Sequence, residues 1–335
     1  MRIVLFLGAG FASAFELPVM NTFMSFAEAS SRISEEDKEF LHDLILATRK
    51  ANAFLTSSAT NLEDILSFAV MGYRLGLREE SGRLRHILQR VFTSLDHNTD
   101  FWSRYDAFRE FLGFECADSR HDLSIITTNY DLSIECALRQ AGVHANIGFM
   151  PSVEVNGGNF YSREGVPLLK LHGSVNWYER EDNPDVFQVD DTLSEVRAGP
   201  PGQPRMETIP TVCAANHQSE RPPFIVPPSY LKPDFVGPMR SVWAAAATEL
   251  EQAELVAFVG YSFPQSDTEM KYFLARSLVD NATLRRISII DPVASQIVER
   301  LKSSDSGYGS HFRELLHPCP SRWHEYQLDR EISAI

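Results

Sequence analysis

The sequence predicts an α/β protein built on a parallel β-sheet with helices on both faces. Short, continuous apolar runs alternate along the chain with segments of helical periodicity, a pattern typical of strands that are buried on both sides. Several runs end abruptly in glycine or polar residues, as the first does at Gly8-Ala9-Gly10. In such sheets ligands bind beyond the carboxyl ends of the strands, so the residues at these ends are the candidates for function.

The composition limits the classes of function. The chain has 335 residues, of which 44% are hydrophobic, and its formal net charge is −14. An acidic chain gains no counterion-release attraction to nucleic acid, so we expect no direct nucleic-acid binding. No apolar run approaches the ~20 residues that cross a bilayer, and the first run is too short for a signal peptide. We therefore expect a soluble, cytoplasmic protein with no membrane association.

Cysteine spacing argues against a metal site. The four cysteines are Cys116, Cys136, Cys213 and Cys319, and none lies two residues from another. Structural zinc sites draw ligands from closely spaced pairs, which this chain lacks. We expect free thiols, no metal and no zinc-ribbon small domain.

The first third of the chain predicts one strand and then a helical insertion. Residues Ile3 to Leu7 form the first apolar strand. From about residue 34 to residue 112 the apolar residues recur at helical spacing, as in "EFLHDLILATRK" and "NLEDILSFAVMGYRL". Asn61 is placed to cap the second of these helices.

The remainder predicts five more strands and their helices. Strands are expected in "LSIIT", "VPLLK", "FIVPP", "ELVAFVG" and "RRISIID", and helices after most of them. Between about residues 178 and 223 acidic residues, glycines and prolines dominate and periodicity is lost, which predicts a loop-rich, irregular segment. The whole chain, residues 1–335, is interpreted as a single domain.

The first strand end carries a partial phosphate-binding pattern. Glycines at positions 8 and 10 allow the backbone to approach a pyrophosphate and to direct N–H groups at it. The third glycine of the dinucleotide fingerprint is missing, since Phe11, Ala12 and Ser13 follow. A plain strand-to-helix turn explains the motif equally well.

Polar groups also follow the next two strands. "TTNYD" brings Thr128, Asn129 and Asp131 to the end of the second strand, where Asp131 is also placed to cap a helix. "LHGS" ends the third strand in His172, whose imidazole suits proton transfer near neutral pH. A structural histidine is the alternative.

Two later strand ends complete the set. "VGYSF" places Gly260 and Ser262 where a phosphate or a ribose could bind. Asp291 follows a late strand, as does the acidic residue that binds ribose hydroxyls in dinucleotide folds. An Asp-Pro turn explains Asp291 equally well.

The order "GAG", "TTNYD", "LHGS", "VGYSF" resembles the sirtuin family and its prokaryotic sirtuin-like relatives, over roughly residues 3–300. "NLEDILS" and "VGYSFPQSD" are similar to the bacterial branch, whose members are NAD hydrolases in antiviral defence. The resemblance implies a Rossmann-like sheet that binds NAD. It implies an NAD-binding set of Gly8, Ala9, Gly10, Phe11, Ser13, Thr128, Asn129, Asp131, Gly260, Ser262 and Asp291.

The same resemblance implies roles within that set. Residues 8–10 would hold the pyrophosphate, and Asn129, Asp131 and His172 would face the nicotinamide ribose. Gly260, Ser262 and Asp291 would lie on the adenosine side. The catalytic residues would be Asn129, which orients a water, and His172, which accepts a proton.

Departures from the deacylase pattern favour hydrolysis. The zinc cysteines are missing, and "ELPVMN" at residues 16–21 keeps a proline but lacks the aspartate and arginine that deacylases show there. We therefore predict an NAD glycohydrolase that gives nicotinamide and ADP-ribose. A deacylase or ADP-ribosyltransferase, a dehydrogenase and a non-catalytic NAD- or ADP-ribose-sensing module are the alternatives.

Such an enzyme needs control, because unregulated NAD cleavage would deplete the host cell. No sensor repeat, nucleic-acid motif or ATPase motif is visible in the sequence. We expect control by self-assembly into a homo-oligomer or by a separate sensor or ATPase protein, with residues 34–112 as the suspected surface.

Overall fold

The computed structural model describes residues 1–15, 17–19, 22–30, 33–54, 62–76, 80–92, 106–108, 110–112, 122–140, 143, 145–147, 153–155, 158–159, 165–179, 187–189, 223–226, 238–264, 267–303 and 312–335. Cys116, Cys213, Asn61 and most of residues 178–223 lie outside these ranges. No helix in the described part of the chain is long and apolar enough to span a membrane.

Eleven strands are described. They are β1 (Arg2–Leu7), β2 (Asp122–Thr127), β3 (Ala145–Asn146), β4 (Val153–Val155), β5 (Gly158–Asn159), β6 (Val166–Lys170), β7 (Trp177–Glu179), β8 (Phe187–Val189), β9 (Leu255–Val259), β10 (Arg286–Ile290) and β11 (Leu316–Cys319). Seven of them form one sheet in the order β11-β10-β9-β1-β2-β6-β3, in which every pair is parallel. The predicted parallel sheet is confirmed, and β1 lies at its centre.

The helices follow the predicted alternation. They are α1 (Ala9–Ser13), α2 (Phe23–Ala29), α3 (Glu35–Phe54), α4 (Leu62–Arg74), α5 (Glu80–Phe92), α6 (Ser133–Gln140), α7 (Pro238–Glu251), α8 (Thr268–Val279), α9 (Ala294–Lys302) and α10 (Asp329–Ile332). Helices α3, α4 and α5 lie within the stretch predicted to be a helical insertion between the first two strands.

The sheet is covered on both faces because its strands are apolar on both faces. Along β1, Ile3, Leu5 and Leu7 pack into one hydrophobic core, and Val4 and Phe6 pack into a second. Helices α1–α6 contribute buried residues to the first core, and α7, α8 and α9 contribute to the second. Successive side chains of a strand point to opposite faces of the sheet. A continuous apolar run therefore has apolar side chains on both faces, and helices bury both.

One expectation about the middle of the chain was wrong. Residues 224–226, the described part of "FIVPP", form no strand, since Ile225 makes only an isolated bridge with Gly173. Strand β8 lies inside the stretch predicted to be loop-rich and belongs to a four-stranded sheet in the order β5-β4-β8-β7. These strands have two or three residues each, too few for a period to be visible in the sequence.

The C-terminal segment docks beside α1. Trp323 is 4% exposed, its ring lies 4.8 Å from that of Phe11, and its Nε1–H donates to the Phe11 carbonyl at 3.2 Å. The rings of Phe15, Phe108 and Phe111 surround it within 6.0 Å. One indole therefore joins the chain terminus, the first turn and the end of the helical insertion.

Truncating Trp323 should destabilise the whole domain. We expect Trp323→Ala to lower the free energy of unfolding by about 3–5 kcal/mol, because it leaves a large cavity among aromatic rings. Trp323→Phe should cost less, since it keeps a ring and loses the bond to Phe11. Urea denaturation measures both, with Tyr272→Ala, at a side chain that is 67% exposed, as the neutral control. Equal stability of all three variants would contradict this role.

Candidate functional site

The carboxyl ends of the central strands surround one cavity of about 370 Å³. Because the strands are parallel, the residues after β1, β2, β6, β9 and β10 all reach this edge of the sheet. Nine predicted site residues line it: Ala9, Gly10, Thr128, Asn129, Asp131, His172, Gly260, Ser262 and Asp291. The cavity therefore brings together residues that lie up to 282 positions apart (Ala9 to Asp291).

The turn after β1 packs directly against the turn after β9. The Gly8 N–H donates to the Val259 carbonyl and the Gly10 N–H to the Gly260 carbonyl, each at 2.9 Å. A Cβ atom on Gly10 would lie 2.8 Å from the Gly260 Cα, and one on Gly8 would lie 2.6 Å from the Gly260 oxygen. The glycines are therefore required by backbone packing, whatever ligand the cavity binds.

The backbone donors of α1 are partly engaged within the protein. The Gly10 N–H bonds to Gly260, and the Phe11 N–H donates to the Gly8 carbonyl at 3.0 Å. The glycine motif suggested that these N–H groups donate to a pyrophosphate. In the structure both groups donate to backbone carbonyls instead. Ala9 and Gly10, both half-buried, are the members of this turn that line the cavity.

Three predicted binding residues lie outside the cavity lining. Gly8 is buried beneath it, and the Phe11 side chain is fully buried against Trp323. Ser13 is exposed, and its hydroxyl donates to the Gly10 carbonyl at 2.7 Å. Each of the three contributes to the shape of the turn.

Asn129 connects the turn after β2 to the turn after β1. Its side-chain Nδ2 donates to the Gly8 carbonyl at 3.0 Å, and its backbone N–H donates to the Thr127 hydroxyl at 3.0 Å. That hydroxyl donates in turn to the Leu7 carbonyl at 2.8 Å. With Nδ2 committed to Gly8, the amide oxygen is the acceptor that Asn129 can offer to a ligand.

Asp131 caps α6 as well as lining the cavity. One carboxylate oxygen, Oδ1, accepts from the Ser133 N–H at 3.0 Å and from the Ser133 hydroxyl. This is the capping role that its position before a helix suggested. Asp131 is 1% exposed, so it has little solvent-accessible surface of its own.

His172 sits on a sharp turn and stacks on Tyr130. Gly173 has φ +80°, and a Cβ atom there would lie 2.3 Å from the Phe224 oxygen. The imidazole and phenol rings are 6.3 Å apart with an angle of 26° between their planes. Burial, followed by the negative charges of Asp267 and Glu63, raises the pKa of Tyr130, so the phenol stays protonated at neutral pH.

The turn after β9 is held by side chains on the next two helices. Asp267 caps α8 by accepting from the Met270 N–H at 3.4 Å, and it accepts from the Tyr261 hydroxyl at the same distance. Arg300 of α9 donates to the carbonyls of Ser262 and Phe263. Phe263 adopts φ +50°, an uncommon conformation for a residue with a side chain.

The charged groups of the described lining are mostly acidic. Glu63, Asp131, Asp267 and Asp291 line the cavity, and no described lysine or arginine does. Asp291 also accepts from the Val293 N–H at 2.9 Å, in the turn that its Asp-Pro sequence predicted. Among the described residues no group of three or more His, Cys, Asp or Glu is placed to hold a metal ion.

Several lining or supporting residues were missed by the sequence analysis. Tyr130 and Glu63 lie within the motifs "TTNYD" and "NLEDILS", but the sequence predicted roles only for their neighbours. Lys170 was visible as a single charge in the apolar run "VPLLKLHG". It is fully buried, and its ammonium pairs with Glu135 at 2.8 Å.

The chain belongs to the SIR2-like domain family, whose model matches residues 123–308, more than half of its length. No curated protein sequence matches the chain. This family assignment agrees with the sirtuin-like resemblance of the motifs.

Solved structures with a similar fold include Sir2 proteins in several complexes. A mutant Sir2 homologue with ADP-ribose is 13% identical with a TM-score of 0.43, and the match covers 96% of this chain and 87% of that one. A Sir2 homologue with NAD is 14% identical with a TM-score of 0.41, over 96% and 85% of the two chains. Sir2 bound to an acetylated peptide is 13% identical with a TM-score of 0.35, over 99% and 92%.

The contact between the two glycine turns should be intolerant of any side chain. Gly260 has φ +62°, and a Cβ atom there would lie 2.4 Å from the Phe11 nitrogen and 2.5 Å from the Gly10 carbonyl carbon. We expect Gly260→Ala to destabilise well beyond the ~1–2 kcal/mol of a left-handed backbone alone, because backbone atoms must move.

Gly76→Ala is the matched control for this prediction. Gly76 has a similar φ of +67°, but a Cβ atom there would meet no atom of the described residues within 4 Å. Unfolding in urea should therefore show the strain alone at Gly76 and strain plus collision at Gly260. Equal losses at the two positions would rule out the collision as the cause.

Proposed function

We propose that the chain is an NAD glycohydrolase, which cleaves the bond between nicotinamide and ribose. The observation that carries this proposal is the meeting of Asn129 and His172, from neighbouring strands, in one cavity with the glycine turn and Asp291. The SIR2-like family assignment supports NAD as the ligand. NAD is the substrate here, and the reaction that we propose needs no metal.

The proposed reaction uses water as the nucleophile. The bond from the anomeric carbon to the nicotinamide nitrogen breaks, and its electron pair leaves with neutral nicotinamide. The water oxygen bonds to the anomeric carbon, and the water loses a proton. The products are nicotinamide, ADP-ribose and a proton.

Asn129 and His172 are assigned different tasks in this reaction. The Asn129 amide is oriented by its bond to Gly8, which leaves its oxygen to accept a hydrogen bond from the water or from a ribose hydroxyl. His172, which is 5% exposed, would accept the proton from the water or from a ribose hydroxyl. Stacking on Tyr130 orients the imidazole for that transfer.

The acidic lining favours the charge that develops during cleavage. The transition state carries positive charge on the ribose as the nicotinamide leaves, and fixed carboxylates nearby stabilise it. The Tyr130 phenol, whose pKa is raised by burial and then by Asp267 and Glu63, is protonated at neutral pH and is proposed as a hydrogen-bond donor to the ligand. On the adenosine side, Asp291 would accept from ribose hydroxyls.

A second candidate is a non-catalytic module that senses NAD or ADP-ribose. The observation in its favour is that the Asn129 amide also holds the Gly8 turn, a task that needs no catalysis. Nicotinamide release distinguishes the two candidates, because a sensor binds the dinucleotide and leaves it intact.

We further propose that the enzyme acts in antiviral defence under the control of a partner or of self-assembly. The defence role rests on the resemblance of "NLEDILS" and "VGYSFPQSD" to the bacterial branch. The helical insertion supports the control, because it contacts the site at two places. Glu63 of α4 lines the cavity, and Gln89 of α5 donates to the Val175 carbonyl at 2.9 Å, close to His172. A homo-oligomer, or a separate sensor or ATPase protein bound to this insertion, would therefore act directly on the catalytic turns.

Removing either of the proposed catalytic side chains should strongly lower turnover while leaving binding. Purified protein is incubated with NAD, alone and with the products of neighbouring genes, and nicotinamide and ADP-ribose are followed by chromatography. We expect Asn129→Ala to lower the rate by ~10²–10³ and His172→Ala by ~10²–10⁴. ADP-ribose should still bind, with an affinity that falls far less than the rate, since the glycine turn and the adenosine side are expected to supply much of the affinity.

His42→Ala, at an exposed position of α3, is the control for His172→Ala. It should leave both the rate and the melting temperature unchanged. Variants of Asn129 and His172 that are destabilised but turn over normally would make both residues structural. Intact NAD under every condition, with tight ADP-ribose binding, would favour the sensing module.

A further inference from the structure

A buried ammonium group joins the two catalytic turns. Lys170 is the last residue of β6, two positions before His172, and its side chain is fully buried. Its Nζ donates to the Asp131 carbonyl at 2.5 Å, to the Tyr130 carbonyl at 3.4 Å and to Glu135 Oε1 at 2.8 Å. An ammonium group has three donor hydrogens, and these three acceptors use all of them.

The Tyr130 carbonyl is the meeting point of both turns. Besides Lys170, it accepts from the Val175 N–H at 3.0 Å and from the Ser174 hydroxyl at 3.2 Å. Tyr130 directly follows Asn129, whereas Lys170, Ser174 and Val175 flank His172 on both sides. Donors from one catalytic turn therefore converge on the backbone of the other.

Stability alone does not require a charge here. Burying an ion pair carries a large desolvation penalty, and well-packed apolar residues of similar volume often give equal or greater stability. The second oxygen of Glu135, Oε2, is buried without a hydrogen-bond partner in the described structure, so the pair is not even fully satisfied. Apolar residues, however, cannot donate hydrogen bonds to two successive backbone carbonyls.

We propose that Lys170 is a positioning residue: its ammonium group, paired with Glu135, locks the backbone after Asn129 to the turn that carries His172. The pair thereby sets the separation of the two catalytic side chains. The effect on turnover rests on the proposed NAD cleavage, whereas the effect on geometry does not.

The decisive variant replaces both members of the pair, as Lys170→Met with Glu135→Leu. It removes the hydrogen bonds without leaving a buried, unpaired charge, so folding should be preserved. We expect kcat for NAD cleavage to fall roughly 10²-fold, the effect of a displacement of about 1 Å in a catalytic constellation. KM and the calorimetric affinity for ADP-ribose should change little. A stable double variant with normal kcat would overturn the proposal.

A control removes a partly buried ion pair that joins another strand of the sheet to a helix. Arg286 of β10 donates to Glu331 of α10 at 2.6 Å, and neither residue lines the cavity. Arg286→Met with Glu331→Leu should leave kcat within roughly twofold of the wild type, because their side-chain hydrogen bonds run to one another, Ser288 and Tyr326 and not to the turns that carry Asn129 and His172. A loss equal to that of the Lys170 double variant would make the effect one of general packing and would overturn the proposal.

Two further measurements keep the inference testable. If the double variant fails to fold, Ser174→Ala removes one donor to Tyr130 with little loss of volume, and kcat should fall roughly fivefold while the melting temperature falls by no more than about 4 °C. A crystal structure of either variant should show the Tyr130 and Asp131 backbone displaced relative to His172. Unmoved turns would overturn the positioning role, whereas absent NAD cleavage by the wild type would overturn only the proposed function.

Discussion

The backbone contact between the Gly8–Gly10 turn and Gly260 is the constraint on which the site depends. Neighbouring segments contact the turn after β1, the central strand, on both of its sides. Gly260 of the turn after β9 lies against one side, and the Asn129 amide bonds to the Gly8 carbonyl from the other. A side chain on Gly8, Gly10 or Gly260 would collide with the other turn, so the two turns meet backbone to backbone at this edge of the cavity. Its shape is therefore fixed by the register of three neighbouring strands.

Polar residues at the strand ends consequently have a structural and a functional aspect at once. Buried polar groups must find hydrogen-bond partners, and at this edge they find them in the backbone of the adjacent turns. Thr127, Asn129, Asp131 and Lys170 all bond in this way. For each of these residues the sequence left a structural and a functional role as alternatives. The two roles do not exclude each other. A residue that orients its neighbours by one atom can present another atom to the ligand, as Asn129 does.

The parts of the fold that the sequence predicted are those with a repeated signal. Apolar runs predicted β1, β2, β6, β9 and β10, and helical periodicity predicted the insertion. The small sheet and β11 were not predicted, because strands of two to four residues, with Pro318 and His317 in β11, carry no period. Nine of the twelve proposed site residues line the cavity, since parallel strand ends must share an edge. Tyr130, Lys170 and Trp323 could not be foreseen in their roles, because each depends on a partner distant in sequence.

The helical insertion is more than a cover for one face of the sheet. A helix that only buried apolar surface would present its polar side to solvent, yet Glu63 faces the cavity and Gln89 bonds to the turn beyond His172. Gln89 also donates to the Tyr178 hydroxyl at 2.7 Å, so α5 is joined both to that turn and to β7. A shift of α4 would change the charge beside Tyr130, and a shift of α5 would change the support of the turn after His172. Because these contacts are polar and short in range, small movements are enough to break them. The helical insertion, which is the suspected binding surface for a regulator, is therefore in direct contact with the turns that carry the residues proposed to cleave NAD.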